Sequence, residues 1–297
     1  MSTRAMGPLA GIGWLKSGIN LGRTNSKAIF GGAALVLVGT LLPSAITFPL
    51  QKAMAADPRT FGIIMLISML AGLLLAPLIG GFFAVIDAAE NGRPTKATNV
   101  FALYRRGTFA RMVGFGVGML VLYAIAMGLV LAVVGTGIVH WYMAVLAAQA
   151  NHHPEAIPSL PAGFGAALAL GCVLWLLITG VYAIALGQVA LAGRPTLNAL
   201  RDGLSGSLKN LLPLLVMVIV GFFAMLVFML VFGLLVVLLA LLGKLVGMWL
   251  MIALVVPLYI AMFLALYVVM FGAMYAMWRD ICADDRQTDA SMTGVVA

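Results

Sequence analysis

The chain has 297 residues, of which 64% are hydrophobic and 9% charged, and its mean hydropathy is +1.14. An average soluble domain is about one-quarter charged, so this composition excludes a soluble globular enzyme or binding domain and describes a polytopic membrane protein. The net charge of +8 raises nucleic acid as a partner, but the basic residues are spread between apolar runs rather than gathered on a soluble face. That distribution points to lipid and excludes nucleic acid.

A helix needs about 20 apolar residues to cross a hydrocarbon layer about 30 Å thick. Six runs are long enough, at about 28–51, 60–88, 110–139, 162–192, 211–242 and 246–278. The expected fold is all-α: a single integral membrane domain over 1–297 with six transmembrane helices and a short tail at 281–297. Ahead of run one, Ile12, Leu15 and Ile19 recur at i, i+3 and i+7, with Lys16, Asn20 and Arg23 one position on. This is the amphipathic pattern of a helix lying in the membrane interface. Ala53-Met54-Ala55 looks like the end of a signal peptide, but the run before it is longer than an h-region, so run one reads as a retained helix. Pro43 in run one and Pro77 in run two allow both helices to bend.

Runs two and four close on the same tetrapeptide, Gly92-Arg93-Pro94-Thr95 and Gly193-Arg194-Pro195-Thr196, 101 residues apart. An internal period of this size marks a repeated structural module. Glycine takes the left-handed conformation that ends a helix, and proline cannot continue one. Arginine sets a positive charge beside the headgroups, and threonine is expected to cap the helix that follows. After the first turn Ala97, Val100 and Tyr104 repeat the interfacial spacing, and after the second Leu197, Leu200 and Leu204 do so. Three modules emerge, 9–88, 95–192 and 196–280, each a surface helix followed by two spans.

Ionisable groups within spans are the first functional candidates, because a charge in hydrocarbon needs a partner. Asp87 and Glu90 lie three apart at the end of run two, on one helical face, and could coordinate a cation or share a proton. One repeat length beyond Asp87 stands Gln188, polar but uncharged. A polar residue just inside each turn fits a hydrogen bond that ties each hairpin to its surface helix. In run three, Gly114 and Gly118 form a G-x-x-x-G pair that lets another helix approach closely.

The connection at 140–161 reads as an irregular outward loop and holds all three histidines, His140, His152 and His153, with Glu155 nearby. Adjacent histidines point in different directions and the spacing fits no recognised site, so neither a metal nor a cofactor is expected. Trp141 and Tyr142 suit an aromatic belt. Runs five and six meet at Gly243-Lys244, and Tyr259, Tyr267 and Tyr275 recur every eight residues on one face that packs against another span. Arg279 and Asp280 read as an interfacial anchor in which the aspartate pairs with a basic loop. Cys172 lies within run four and Cys282 just past run six on the reducing side, so the two do not read as a disulfide.

Of the 17 Lys and Arg residues, Lys52, Arg59 and Lys244 fall on one side of the six runs and all the others fall on the opposite side. The positive-inside rule then puts both termini and the two G-R-P-T turns in the cytoplasm. The segment Gly13-Trp14-Leu15, the spans with their turns, and the closing Met274-Tyr275-Ala276-Met277-Trp278-Arg279-Asp280-Ile281 resemble a group of uncharacterised proteobacterial inner-membrane proteins. More distantly, the plan is similar to the membrane domain attached to some glycerophosphodiester phosphodiesterases. The resemblance implies a bacterial inner-membrane location but carries no activity, since the sequence has no soluble phosphodiesterase domain. Metalloprotease, hydrolase and phosphate-loop motifs are absent from it. The expected function is non-enzymatic: organising anionic lipid headgroups, a membrane-protein partner or further copies of the chain through a basic cytoplasmic surface. The alternative is a small-molecule transporter or channel built from repeated hairpins, and an enzyme acting on lipids ranks third.

Overall fold

The structure is a computed structural model and describes residues 3–54, 58–105, 107–135, 137–150 and 159–282. It is 87% helix, with no strand among the described residues. The elements are α1 (Ala10–Asn20), α2 (Ser26–Met54), α3 (Pro58–Glu90), a 3₁₀ segment (Ala97–Tyr104), α4 (Thr108–Val134), α5 (Gly137–Ala150), α6 (Phe164–Ala190), α7 (Thr196–Lys209), α8 (Leu211–Val246) and α9 (Met248–Cys282). Six of them, α2, α3, α4, α6, α8 and α9, contain a stretch long and apolar enough to cross a membrane. The chain is a multi-pass helical membrane protein.

Two stretches differ from the sequence expectation. Residues 97–104 form a 3₁₀ segment rather than an α-helix. Such runs are seldom this long without help, and here the Val100 carbonyl is pressed against the backbone of Gly81 in α3, so packing holds it. Residues 140–150, expected as part of a loop, belong to α5, which begins at Gly137. The helix-breaking prolines of this connection all come later, and the stretch before them carries ordinary helix-forming residues such as Ala144 and Leu146. His140 lies in α5, while His152, His153 and Glu155 lie outside the described residues.

Buried side chains concentrate in the halves of the spans nearest the G-R-P-T turns: Ile29 and Val36 of α2, Phe82, Phe83 and Ile86 of α3, Met112 of α4, Ile184 and Leu186 of α6, and Met277 of α9. Phe82 and Phe83 both meet Phe271 edge-on, with centroids 5.3 and 6.1 Å apart. Such aromatic pairs add about 0.5–1.5 kcal/mol to the burial of their area. The far halves expose apolar side chains, among them Ile46, Met65, Met127, Leu230 and Trp249, as a surface solvated by lipid does. Tyr259 lies in this outer half and meets Phe232 of α8 edge-on at 5.0 Å.

The spans pair as three hairpins, α2/α3, α4/α6 and α8/α9. The surface segments do not pack mainly on the hairpins that follow them in sequence. The 3₁₀ segment lies on α3 and α2, α7 lies on α6 and α4, and α1 lies on α9 and α8. Each segment rests on the hairpin before it, and α1 on the last hairpin closes the ring.

Glycine makes all three contacts. Gly81 of α3 takes the Val100 carbonyl, Gly18 of α1 lies on the Val269 carbonyl of α9, and a Cβ added to Gly203 of α7 would stand 2.9 Å from the Val181 carbonyl of α6. Helices in lipid gain little from hydrophobic association, so close backbone approach at small residues supplies the contact energy. On α1 the packing face is therefore Gly11, Trp14 and Gly18, while Ile12 and Ile19 are exposed. The Gly114/Gly118 pair receives another helix, as expected, and that helix is α7, through Thr196 and Leu200.

Gly81→Ala drives a methyl group into the Val100 carbonyl, whereas Gly62 of the same helix has nothing within 4 Å of an added Cβ. Overpacking of this kind costs about 1–3 kcal/mol. Thermal unfolding of the detergent-purified protein is expected to show a lowered midpoint for Gly81→Ala and none for Gly62→Ala.

Candidate functional site

Both G-R-P-T turns end their helices as the sequence requires. Gly92 has φ +66° and Gly193 φ +65°, and the following arginine amide reaches back to the last helical turn, Arg93 to the Ala88 carbonyl at 2.7 Å and Arg194 to the Gln188 carbonyl at 3.0 Å. The arginine side chains then diverge. Arg93 turns back to form an ion pair with Asp87 of its own hairpin. Arg194 has Gln188 in place of a carboxylate at the equivalent position, and its Nη1 goes forward to Asp202 Oδ2 of α7 at 3.0 Å.

The threonines do not cap, contrary to expectation. Thr196 is the first residue of α7, one position too late, and Pro195 holds the capping position. The Thr196 hydroxyl instead donates to the Arg111 carbonyl at 3.1 Å. Thr95 precedes Lys96, which occupies the capping position of the 3₁₀ segment, and its hydroxyl oxygen accepts from Asn99 at 3.2 Å.

Asp87 is half-buried and Glu90 exposed. The Asp87 carboxylate accepts from the Tyr275 hydroxyl at 2.9 Å and from Asn91 Nδ2 at 3.0 Å. It therefore ties the first hairpin to the third rather than to a surface segment. Gln188 is 1% exposed and neither end of its amide has a hydrogen-bond partner among the described residues. The Cys282 thiol lies beside it, and the Trp278 ring, whose Nε1 is also buried without a partner, sits on the backbone of Gly187. Buried polar atoms are rarely left unbonded, so this is the least satisfied region of the bundle. Asp280, expected to meet a basic loop, accepts from Trp14 Nε1 at 3.0 Å and fastens α1 to α9.

Further bonds gather the remaining polar elements at the same end. Asn25 Nδ2 donates to the Thr95 carbonyl at 3.3 Å, and Arg111 donates to the Gly193 carbonyl. The N-terminal segment is stitched across α7 and α9: the Arg4 amide to the Ile281 carbonyl at 3.0 Å, the Met6 amide to Asn210 Oδ1 at 2.7 Å, and Asn210 Nδ2 to the Arg4 carbonyl at 2.8 Å. Nothing in the sequence singled out Asn210 beyond its being a polar residue between two helices. Tyr104 donates to the Leu74 carbonyl at 2.9 Å, and burial pushes its phenol above the usual value.

This basic end holds a cavity of about 360 Å³ lined by Thr3, Arg194, Asn198, Arg201, Asp202, Ser205 and Lys209. Of two cavities alongside the spans, one is lined chiefly by Val130, Phe164, Leu168 and Trp175, and the other by Met69, Leu73, Phe115 and Leu120 together with Ser68, Tyr123 and Tyr182. Among the described residues no three His, Cys, Asp or Glu side chains cluster as metal ligands. Comparison of the chain with protein-family models, curated proteins and solved structures gives no match.

Tyr275→Phe removes the hydroxyl that Asp87 accepts from. A hydrogen bond to a charged group contributes on the order of 2 kcal/mol, so this variant is expected to unfold at a lower temperature, while Glu90→Gln is expected to match the parent.

Proposed function

We propose that this chain is a non-enzymatic protein of a bacterial inner membrane that organises anionic lipid, and membrane proteins associated with it, at a basic cytoplasmic face. In this reading both termini and the two G-R-P-T turns are cytoplasmic, and the three surface segments are repeats of one design. The likeness to proteobacterial inner-membrane proteins belongs to the same proposal.

The observation that carries the reading is where the polar groups lie. The basic cavity, both arginine turns and the bonded N-terminal segment share one end of the bundle, and the two cavities described beside the spans present mostly apolar surface. A transporter requires polar groups around a site near the middle of the membrane, at the junction of its repeats. Here the groups between the hairpins are chiefly apolar, such as Phe82, Phe83, Met112 and Leu186, and the Thr40 and Tyr267 hydroxyls between α2 and α9 bond to each other at 3.3 Å. Each basic side chain near an anionic surface adds about 1 kcal/mol of attraction, so the cationic end has the chemistry to collect acidic lipid.

Two measurements test this reading. Cysteines placed at positions 94 and 195 are expected to react with a membrane-impermeant maleimide only after cells are permeabilised; labelling of intact cells contradicts the orientation. Lipid extracted with the purified protein is expected to be enriched in phosphatidylglycerol and cardiolipin over phosphatidylethanolamine, with the enrichment falling as salt rises. An unselective lipid set, together with solute flux through reconstituted vesicles, favours the transporter.

A further inference from the structure

We infer that the basic cavity and an adjoining apolar groove form one binding site for a single anionic glycerophospholipid, with Arg201 at the junction of headgroup and acyl chain. This deepens the lipid-organising reading above and rests on it.

The site follows from the three faces of α7. Ala199, Gly203 and Gly206 are buried, Gly203 against α6. Leu197, Leu204 and Leu208 are exposed, Leu197 by 81%. Asn198, Ser205 and Lys209 line the basic cavity. At 100° per residue, Arg201 falls between the polar and leucine faces. It lines both the cavity and a second groove of about 270 Å³, whose walls are Val121 and Ile125 of α4, Val181 of α6, and Leu200 and Leu204 of α7.

Charge decides what the polar half can take. Arg194, Arg201 and Lys209 face one carboxylate, Asp202, which Arg194 already holds at 3.0 Å. Lys209 gives two donors to Thr3, at 3.0 Å to its carbonyl and 3.1 Å to its hydroxyl, and an ammonium has a third. Arg201 is exposed and has no ion pair among the described residues. Its planar donors match two oxygens of a phosphate, and Asn198 and Ser205 stand beside it as neutral partners. A free phosphate needs only this cavity. The aliphatic groove that begins at the same guanidinium is what an acyl chain adds, and it selects a phospholipid over a water-soluble anion.

The test titrates the full-length, detergent-purified protein with phosphatidylglycerol, with phosphatidylcholine and with inorganic phosphate, reading bound lipid by native mass spectrometry and stability by thermal midpoint. One phosphatidylglycerol is expected to bind saturably and raise the midpoint. Arg201→Gln is expected to weaken it about fivefold, the loss of one charge contact of about this strength. Ile125→Trp, which fills the groove from a lipid-facing position and leaves the cavity untouched, is expected to lower phosphatidylglycerol occupancy. Arg23→Gln, an exposed charge that does not line the cavity, is expected to change nothing. Unfolding of the lipid-free variants checks that each is folded, and Ile125→Trp serves alone if Arg201→Gln is not.

Preferential binding of phosphatidylglycerol that neither variant weakens overturns this site while leaving the lipid-organising function standing. Equal binding of phosphatidylglycerol and phosphatidylcholine overturns both. Stabilisation by inorganic phosphate equal to that by phosphatidylglycerol, and insensitive to Ile125→Trp, overturns the lipid as the ligand.

Discussion

The structure depends on backbone atoms meeting where side chains are missing. Val100 on Gly81, Gly18 on Val269 and Gly203 on Val181 bring three surface segments against three hairpins at distances that no larger residue permits. In lipid the apolar flanks of a helix gain nothing by leaving one apolar medium for another, so dispersion at close approach, with weak Cα–H···O contacts, has to select the partner. The consequence is directional: each surface segment reaches back to the preceding hairpin, and α1 joins the end of the chain to its beginning. A short connection alone would have let every segment fold onto the hairpin that follows it.

Polar contacts reinforce the same arrangement from the basic end. Trp14 to Asp280 joins α1 to α9, Tyr275 to Asp87 joins the third hairpin to the first, and Thr196 to Arg111 joins α7 to α4. Because hydrogen bonds and glycine contacts both occupy this end, the spans are held there and expose apolar surface to lipid along their far halves. This placement of the polar groups is what supports the proposed lipid-organising reading over a path through the membrane.

Much of this was legible in the sequence, and what escaped has physical causes. Six spans can be read from apolar length alone, and the positive φ of Gly92 and Gly193 follows from a glycine placed between a helix and a proline. The pairing of surface segments with hairpins was not legible, because a glycine announces that something approaches but not what. Gly114 and Gly118 foretold the close approach of another helix, but not that the helix would be α7. The role of Thr196 was misread by one residue, since a helix that begins at the threonine itself leaves the capping place to Pro195.

The candidate polar positions divide in the same way. Asp87 could be picked out as a charge that needs a partner, and Arg93 of the adjoining turn supplies it, but the hydroxyl that bonds the same carboxylate, Tyr275, lies 188 residues away. Gln188 looked equivalent by spacing, but its side-chain amide is buried without a hydrogen-bond partner among the described residues, while Arg194 pairs with Asp202. Arg201 drew no attention beyond its charge, since its place at the junction of cavity and groove exists only once α4, α6 and α7 are packed.

The closing of the ring by α1 on the third hairpin is the most direct test of the whole account. A Cβ built on Gly221 of α8 lies 3.7 Å from Leu15 Cδ2 of α1, an ordinary contact that a side chain at 221 does not disturb. Leu15→Cys with Gly221→Cys, in a chain whose Cys172 and Cys282 are replaced and which carries a protease site in the connection between α5 and α6, is expected after treatment with a short bifunctional methanethiosulfonate cross-linker to yield two fragments that stay joined until a reductant is added. Fragments that separate after this treatment, although both thiols react with maleimide, contradict the cyclic packing.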